Sequence, residues 1–330
     1  LVEADDAGVL ILGAPYVTAV LEDTINVIAD GVVVRRLAFY DADVQFVNTA
    51  GGALVDTVIT HGGVLVHDGS AVQVVHNAVS PRTAGIALSG GVTDAVIEYN
   101  LVVGGAFGLR LYSGGAVDAV LRGNRVRGSD VGLELGDVSS ASVTGNDLYN
   151  GSLLGPRGLV ISAPFTGSIS ENEIHGWGVG VDYDAGAALS GNRIRDNLTG
   201  VSASVGGVVV GFGFVGDTEP NCIFDNIFGV QLSGRMQGQH IYRNVTGVMG
   251  SGFLGGEDLE HANLIENNGT GLNVTGTVQF NRVARNGTGV RAVSGQLIAN
   301  NLLYRNENHG VYAYGVTDVR IVHNTFYAPE

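Results

Sequence analysis

The chain has 330 residues with 52 glycines and 6 prolines, and its formal net charge is −15 with 15% charged residues. All 17 basic residues are arginine, because the sequence contains no lysine. An apolar fraction of 45% is too high for a disordered chain, and abundant glycine without proline argues against collagen. The negative charge disfavours nucleic-acid partners, and the missing lysine excludes every mechanism that needs a lysine nucleophile or base.

Cys222 is the single cysteine, so no intrachain disulfide can form. No apolar run approaches 18 residues, and we therefore expect no insertion into a membrane. The last repeat unit, which begins at Val319, stops before its Gly-Val half. Because a solenoid end needs a polar cap, we expect the chain to continue beyond Glu330 as part of a larger protein.

Along the chain, residues 31–39 and 53–59 are the first segments with strand character. From Asn77 onward a unit of about 22 residues repeats, with its clearest copy in Asn192-Arg-Ile-Arg-Asp-Asn-Leu-Thr-Gly-Val201. An apolar residue follows the first Asn of the unit by two positions, and Gly with an aliphatic residue usually follows it by eight. The slot of the first Asn is filled by Asn77, Asn100, Asn124, Asn146, Asn172, Asn192, Asn221, Gln239, Asn263, Asn281, Asn301 and Asn324.

This unit has the features of one solenoid coil. Short runs such as residues 119–122 and 132–135 alternate with period two, which is typical of strands, and Gly, Asn or Asp residues bound them. No segment carries a helical stripe with caps. Stacked coils place equivalent residues about 4.8 Å apart. The apolar column is therefore predicted to fill the interior, and the Asn column to form a ladder of side-chain hydrogen bonds.

The pattern Asn-x-(Ile/Val)-x-x-Asn-x-x-Gly-Val resembles the repeat of right-handed parallel β-helix proteins of the pectate-lyase-like superfamily. The resemblance implies an all-β fold, namely a right-handed single-stranded parallel β-helix of about 12–14 coils with an Asn ladder. We expect a single domain over residues 1–330, with less regular coils in 1–76 and regular repeats in 77–330. The superfamily includes lyases, hydrolases, epimerases, phage tailspikes, adhesins and inert shafts, so the fold leaves the function open.

Enzyme signatures of the superfamily are missing from this sequence. Asn324-Thr-Phe lacks the Asp of the Asn-Thr-Asp segment of polygalacturonases, and the sole Asp-Asp pair is Asp5-Asp6. An Arg-Ile-Lys segment is impossible without lysine, and the Asp-Pro-His segment of alginate epimerases does not occur. These absences favour a domain without catalytic activity.

Residues 171–184 form the strongest candidate site. Strand alternation predicts that Asp182 and Asp184 share one face, and with His175 they are the candidate acid and base residues of an enzyme. Trp177, the single tryptophan, and Tyr183 are candidate platforms for a sugar ring. The alternative is that Trp177 packs beneath a loop and that the two carboxylates are ordinary surface residues.

A second candidate is the position four residues after the Asn slot. Stacking predicts one column there, in which Arg243, Arg285 and Arg305 are candidates for binding sugar carboxylates. The alternative is a solvated turn column in which Asp225 and Arg243 compensate each other.

Two insertions carry candidate calcium ligands, because hard oxygen ligands from neighbouring loops suit this cation. No calcium-loop motif is present, and solvated acidic loops are the alternative. The candidate ligands are Asp217, Glu219, Glu257, Asp258 and Glu260.

Five Asn-x-Thr sequons begin at Asn197, Asn244, Asn268, Asn273 and Asn286. Four of them fall at one turn position, so we interpret them as part of the architecture and not as glycosylation sites. His61, His67 and His76 show no metal-ligand spacing.

Together these patterns predict a non-catalytic β-helix domain of an extracellular or cell-surface protein. It would serve as a rigid structural or adhesive surface that contacts carbohydrate or other surface proteins, without a cofactor unless calcium binds. One alternative is a polysaccharide lyase, hydrolase or epimerase that acts on an acidic glycan. Another is a filament or assembly subunit joined end to end.

Overall fold

The structure is a computed structural model that describes residues 8–13, 20–112, 114, 116–136, 140–204, 219–258 and 261–327. These residues form strands and turns and contain no helix, so none of them forms a helix that could cross a membrane. Two compact units are present: unit 1 comprises residues 1–152 and 156–172, and unit 2 comprises residues 153–155 and 173–330.

The strands of unit 1 are β1 (Leu10–Leu12), β2 (Val20–Leu21), β3 (Ile25–Val27), β4 (Val33–Arg35), β5 (Ala38–Tyr40), β6 (Val44–Val47), β7 (Ala53–Val55), β8 (Val58–Thr60), β9 (Val64–His67), β10 (Gln73–Val75), β11 (Ala78–Ser80), β12 (Ala84–Ser89), β13 (Val92–Thr93), β14 (Val96–Glu98), β15 (Leu101–Val103), β16 (Phe107–Tyr112), β17 (Ala116–Arg122), β18 (Arg125–Arg127), β19 (Val131–Leu135), β20 (Ser140–Thr144), β21 (Asp147–Tyr149), β22 (Arg157–Ile161) and β23 (Ser168–Ser170).

The strands of unit 2 are β24 (Glu173–His175), β25 (Val179–Tyr183), β26 (Ala188–Ser190), β27 (Arg193–Arg195), β28 (Thr199–Ala203), β29 (Cys222–Phe224), β30 (Phe228–Met236), β31 (His240–Tyr242), β32 (Thr246–Leu254), β33 (Leu264–Glu266), β34 (Thr270–Gln279), β35 (Arg282–Ala284), β36 (Thr288–Arg291), β37 (Leu297–Ala299), β38 (Leu302–Tyr304), β39 (His309–Tyr312), β40 (Arg320–Val322) and β41 (Thr325–Tyr327).

Strands pair in parallel with the equivalent strand one coil further along the chain, which produces three sheets. Sheet 1 comprises β3, β6, β9, β12, β16, β19 and β22 in unit 1, and β25, β28, β30, β32, β34, β36 and β39 in unit 2. In unit 1, β1, β4, β7, β10, β14, β17, β20 and β23 form sheet 2. Sheet 3 comprises β2, β5, β8, β11, β15, β18 and β21 in unit 1, and β24, β27, β29, β31, β33, β35, β38 and β41 in unit 2. The predicted right-handed parallel β-helix is confirmed, with about thirteen coils.

Three long strands in unit 2 depart from the three-sheet plan. β30 and β32 have nine residues and β34 has ten, and they pair with one another along their whole length. Gly234, Gly252 and Gly276 stack at the same position with φ angles of 135°, 137° and 103°. This positive φ is a conformation that L-residues rarely adopt, so glycine allows each strand to bend around the corner without a turn.

The predicted Asn ladder is present in both units. In unit 1, the Nδ2 of Asn124 donates to the Oδ1 of Asn146 at 3.0 Å and to the carbonyl oxygen of Ile97 at 2.8 Å. Its own Oδ1 accepts from the Nδ2 and the backbone N–H of Asn100. The bonding continues in unit 2 from Asn192 to Asn324, with Gln239 taking the same place. Buried amides are thus satisfied by their neighbours along the stack.

A second ladder in unit 2 was not predicted. It stands at the turn between sheet 3 and sheet 1, and its side chains are buried or nearly so. The ladder residues are Asn197, Asn226, Asn244, Asn268, Asn286 and Asn306. Four of the sequon asparagines belong to it, which agrees with their interpretation as architecture. A Cβ at Gly180 would lie 2.7 Å from the Nδ2 of Asn197, so the Gly of the repeat leaves room for this ladder.

The coils in residues 33–80 are more uniform than the sequence indicated. Val33 pairs with Ala53 and Ala53 pairs with Gln73, so each coil has 20 residues. The amide is missing there because the buried Leu37 and Thr57 occupy the slot, and the backbone N–H of Thr57 donates to the first ladder oxygen. Leu37 has no amide that needs a partner, and the Thr57 hydroxyl donates to the carbonyl oxygen of Val55 at 3.1 Å, so these coils keep their register without the motif.

Replacing a central ladder amide tests its contribution. We expect Asn124→Ala to lower the free energy of unfolding by about 3 kcal/mol or more, because several buried donors and acceptors lose their partner at once. Urea unfolding followed by circular dichroism measures the loss. Asn308→Ala is the control, since Asn308 is exposed and its side-chain amide makes no hydrogen bond with the described residues. Equal stability of the two variants would contradict a stabilising ladder.

Candidate functional site

A polar cleft of about 380 Å³ lies in unit 1, where three successive coils turn from sheet 3 into sheet 1. Its lining comes from the turns that follow β5, β8 and β11 and from the outward residues of β6, β9 and β12. Tyr112 on β16 also lines it. Because the outward residues of a parallel sheet are not needed for the core, this part of the coil is free to carry a binding site.

Small residues create the space of the cleft. Gly62, Gly63, Ala84 and Ala87 line the cleft. A Cβ at Gly62 would overlap the carbonyl oxygen of Ala42, and one at Gly63 would overlap that of Ala84. The close approach of successive turns therefore requires glycine, and the missing side chains leave a depression.

Charged and polar groups border this depression. Arg82 Nη1 lies 2.6 Å from Asp41 Oδ1, and both side chains are about half exposed or more. The Oδ1 of Asp43 accepts the backbone N–H of Gly63 at 2.7 Å, which fixes that carboxylate. His61 stands one coil after Asp41, and its ring meets that of Tyr40 edge-on at 5.2 Å between centroids.

This arrangement suits a hydroxylated ligand. The carboxylates of Asp41 and Asp43 accept hydrogen bonds, the Arg82 guanidinium donates them, and the His61 imidazole can do either. The sequence analysis named none of these residues as a site. The sequence signal that could have found them is their spacing, since Asp41 and His61 are separated by the 20 residues of one coil.

The predicted sugar platforms at Trp177 and Tyr183 are corrected by the structure, because both side chains are 0% exposed. The backbone N–H of Trp177 donates to Asn197 Oδ1 at 2.9 Å at the start of the second ladder. The hydroxyl of Tyr183 donates to the carbonyl oxygen of Ala187 at 2.8 Å and accepts its N–H at 2.9 Å. Neither ring can stack on a ligand. The alternative of a packed Trp177 holds.

The structure separates the candidate acid and base residues. Asp182 and Asp184 do lie on one outward face, next to Tyr183 of β25 in sheet 1, and the Ser204 hydroxyl donates to Asp184. His175 belongs to β24 in sheet 3. The three residues therefore lie on two different sheets of the coil.

The predicted arginine column exists, and two of its members are compensated. Arg243 forms an ion pair with Asp225, whose hydrogen bonds raise the pKa of the guanidinium. Arg285 Nη1 lies 2.9 Å from Glu266 Oε2. Arg305 has no carboxylate partner among the described residues. The alternative interpretation, in which Asp225 and Arg243 offset each other, holds for that pair.

The calcium prediction falls partly outside the described residues, which include neither Asp217 nor Glu260. Of the described candidates, Asp258 accepts from the backbone N–H of His261 and lies 2.7 Å from its Nδ1. Within the described ranges no group of three or more His, Cys, Asp or Glu is placed to hold a metal ion.

Comparisons with known proteins concern the fold. The family described as right handed beta helix region matches residues 62–246. A double mutant of the periplasmic alginate epimerase AlgG aligns with a TM-score of 0.51 and 12% identity over 92% of this chain and 78% of that one. The Azotobacter vinelandii mannuronan C-5 epimerase AlgE4 A-module aligns with a TM-score of 0.41 and 13% identity over 91% of this chain and 88% of that one. The Streptococcus pneumoniae surface protein and adhesin PfbA aligns with a TM-score of 0.33 and 10% identity over 98% of this chain and 91% of that one. No curated protein matches the chain in sequence.

The buried phenol of Tyr183 provides a test of its structural role. We expect Tyr183→Phe to lower the free energy of unfolding by about 1–3 kcal/mol at pH 7, because the N–H and C=O of Ala187 lose their partner. Burial raises the pKa of Tyr183 above its unfolded value of about 10. The contribution is therefore complete below about pH 10 and is lost as the pH rises through the folded pKa.

Urea unfolding at pH 7 and at high pH measures this difference. The stability gap between wild type and Tyr183→Phe should be full at pH 7 and smaller above pH 10. Tyr327→Phe is the control, because Tyr327 is 56% exposed. A gap that stays constant over this pH range would argue against a protected phenol.

Proposed function

The chain belongs to the right-handed β-helix family, and on this basis we propose that it is a non-catalytic carbohydrate-contacting domain of an extracellular or cell-surface protein. The cleft in unit 1 is the proposed contact site. Its ligand is a sugar unit of a surface or matrix glycan, and the rigid coils hold the site in a fixed geometry. The location outside the cell belongs to the proposal.

The Asp41–Arg82 pair at the mouth of the cleft carries this proposal. A carboxylate beside a guanidinium offers acceptors and donors side by side, which matches a sugar ring with neighbouring hydroxyl groups. Asp43 is already fixed by a backbone hydrogen bond, and its coil is stacked between others, so little ordering is required on binding. Tyr112 supplies a ring at the edge of the cleft for the apolar face of a sugar.

A polysaccharide-active enzyme is the second candidate. The observation that favours it is the pair of outward carboxylates, Asp182 and Asp184, two residues apart on one face. A calcium ion held by the acidic insertions belongs to that alternative, whereas His175 does not, because it lies on a different sheet. New reducing ends or unsaturated products from an acidic glycan, lost in Asp182→Asn, would establish it.

A glycan-binding assay tests the cleft. We expect Arg82→Ala to weaken binding of the best array ligand about tenfold, because a charge-assisted hydrogen bond to the sugar is lost. Titration calorimetry with that ligand gives the dissociation constant. Arg122→Ala is the matched control, since Arg122 also pairs across coils, with Glu98 at 2.8 Å, and lies outside the cleft.

Two outcomes would reject the proposal. One is an array on which no glycan is retained. The other is that every glycan retained on the array binds the wild type, Arg82→Ala and His61→Ala with the same affinity, because then none of them uses the cleft.

A further inference from the structure

The outward face of sheet 3 in unit 2 concentrates cationic groups in an acidic protein. Of the 17 arginines, this face and its adjoining turn column carry Arg193, Arg195, Arg243, Arg282, Arg285 and Arg305. Arg195 pairs with Glu173 and with Asp196, and the pairs of Arg243 and Arg285 are given above. The remaining three have no carboxylate partner among the described residues, and all are exposed.

Strand register places these three arginines along one strip. Arg193 pairs with Cys222, Cys222 with His240, His240 with Leu264 and Leu264 with Arg282. At about 4.8 Å per coil, the Cα atoms of Arg193 and Arg282 are about 19 Å apart along the stack. Arg305 follows one coil after Arg282, at the turn edge of the strip.

Aromatic side chains fix the first part of this strip. The rings of Phe224 and Tyr242 stack with centroids 4.9 Å apart and an interplanar angle of 4°. The Arg193 guanidinium lies 5.1 Å from the Phe224 centroid, and that of Arg243 lies 5.3 Å from the Tyr242 centroid. Cation–π contacts of this kind hold a guanidinium in place before a ligand arrives.

Cys222, His240 and Leu264 separate Arg193 from Arg282 in the strand register. Burial raises the pKa of the Cys222 thiol, which is therefore uncharged at neutral pH. His240 Nε2 lies 3.2 Å from the Glu266 carboxylate, which also pairs with Arg285. The uncompensated charge of the strip thus comes from widely spaced guanidinium groups.

We propose that this strip, defined by Arg193, Tyr242, Arg282 and Arg305, binds a linear polysaccharide that carries carboxylate groups. Guanidinium groups bind carboxylates through two parallel hydrogen bonds, and three of them along the stack match an extended chain with charges at intervals. A nucleic acid fits less well, because its phosphates are dense and the net charge of −15 repels it. The proposal rests on the carbohydrate-contacting function proposed above and names a ligand class for it, but the strip shares no residue with the cleft.

Titration calorimetry of the full chain with uronate oligosaccharides of increasing length tests the strip. We expect affinity to rise with length until the oligomer spans Arg193 to Arg282. Arg193→Gln, Arg282→Gln and Arg305→Gln should each weaken binding about threefold and the triple variant about thirtyfold. Arg282→Glu should weaken it more than Arg282→Gln, because repulsion adds to the lost contact.

The matched control is Arg125→Gln, because Arg125 holds the same strand position on sheet 3 of unit 1 and lies beside Leu101 and Asp147. It should bind the uronate oligomers as the wild type does, because Arg125 lies outside both the strip and the cleft. Circular dichroism confirms that each variant is folded.

Three results would overturn the proposal. They are unchanged affinity in the triple variant, equal affinity for a neutral polysaccharide of the same length, and tighter binding of single-stranded DNA than of the uronate oligomer.

Discussion

Hydrogen bonding between stacked side-chain amides is the interaction on which the rest of this structure depends. An amide has two donor hydrogens and an acceptor oxygen with two lone pairs, and a central rung such as Asn124 uses all of them inside the protein. All of these partners belong to the neighbouring coils, so the bonds form only when successive coils keep one register. Steps of 18 residues and of 29 residues both meet this condition, as between Asn221 and Gln239 and between Asn192 and Asn221.

Variation in coil length is therefore confined to the turns and insertions, and the chemistry of the surface follows from it. Inward positions are committed to the apolar column and the ladders, which leaves the outward residues and the turns for binding. Where glycine is required for close approach, as at Gly62 and Gly63, the surface is hollow. Where strands present long side chains in register, as from Arg193 to Arg282, the surface is a flat strip instead.

The slot of the first ladder was predictable residue by residue, because its period is long and its composition is strict. The second ladder was not, since a turn Asn can point inward or outward and Asn244 follows Arg243, which has a left-handed φ of 55°. The prediction that Trp177 is a platform for a sugar ring failed for a related reason. It follows Gly176 with a φ of 75°, so the alternation of the strand does not continue through the turn and the ring points into the core. Local periodicity gives side-chain direction only within a strand.

The pairing of arginines with acidic residues is the property that is hardest to predict from the sequence. Arg243 and Arg285 pair with acidic residues 18 and 19 positions earlier, and these partners stand in two different columns, Asp225 in the turn and Glu266 on the strand. Which acid reaches which arginine therefore depends on the length of the coil between them and on the column each side chain occupies. Arg305 holds the same column position without a carboxylate partner among the residues that the structure describes, so the proposed recognition on this face depends on the uncompensated guanidinium and not on the column itself. A solenoid can in this way change what it binds by changing a coil length, while its core and its ladders stay the same.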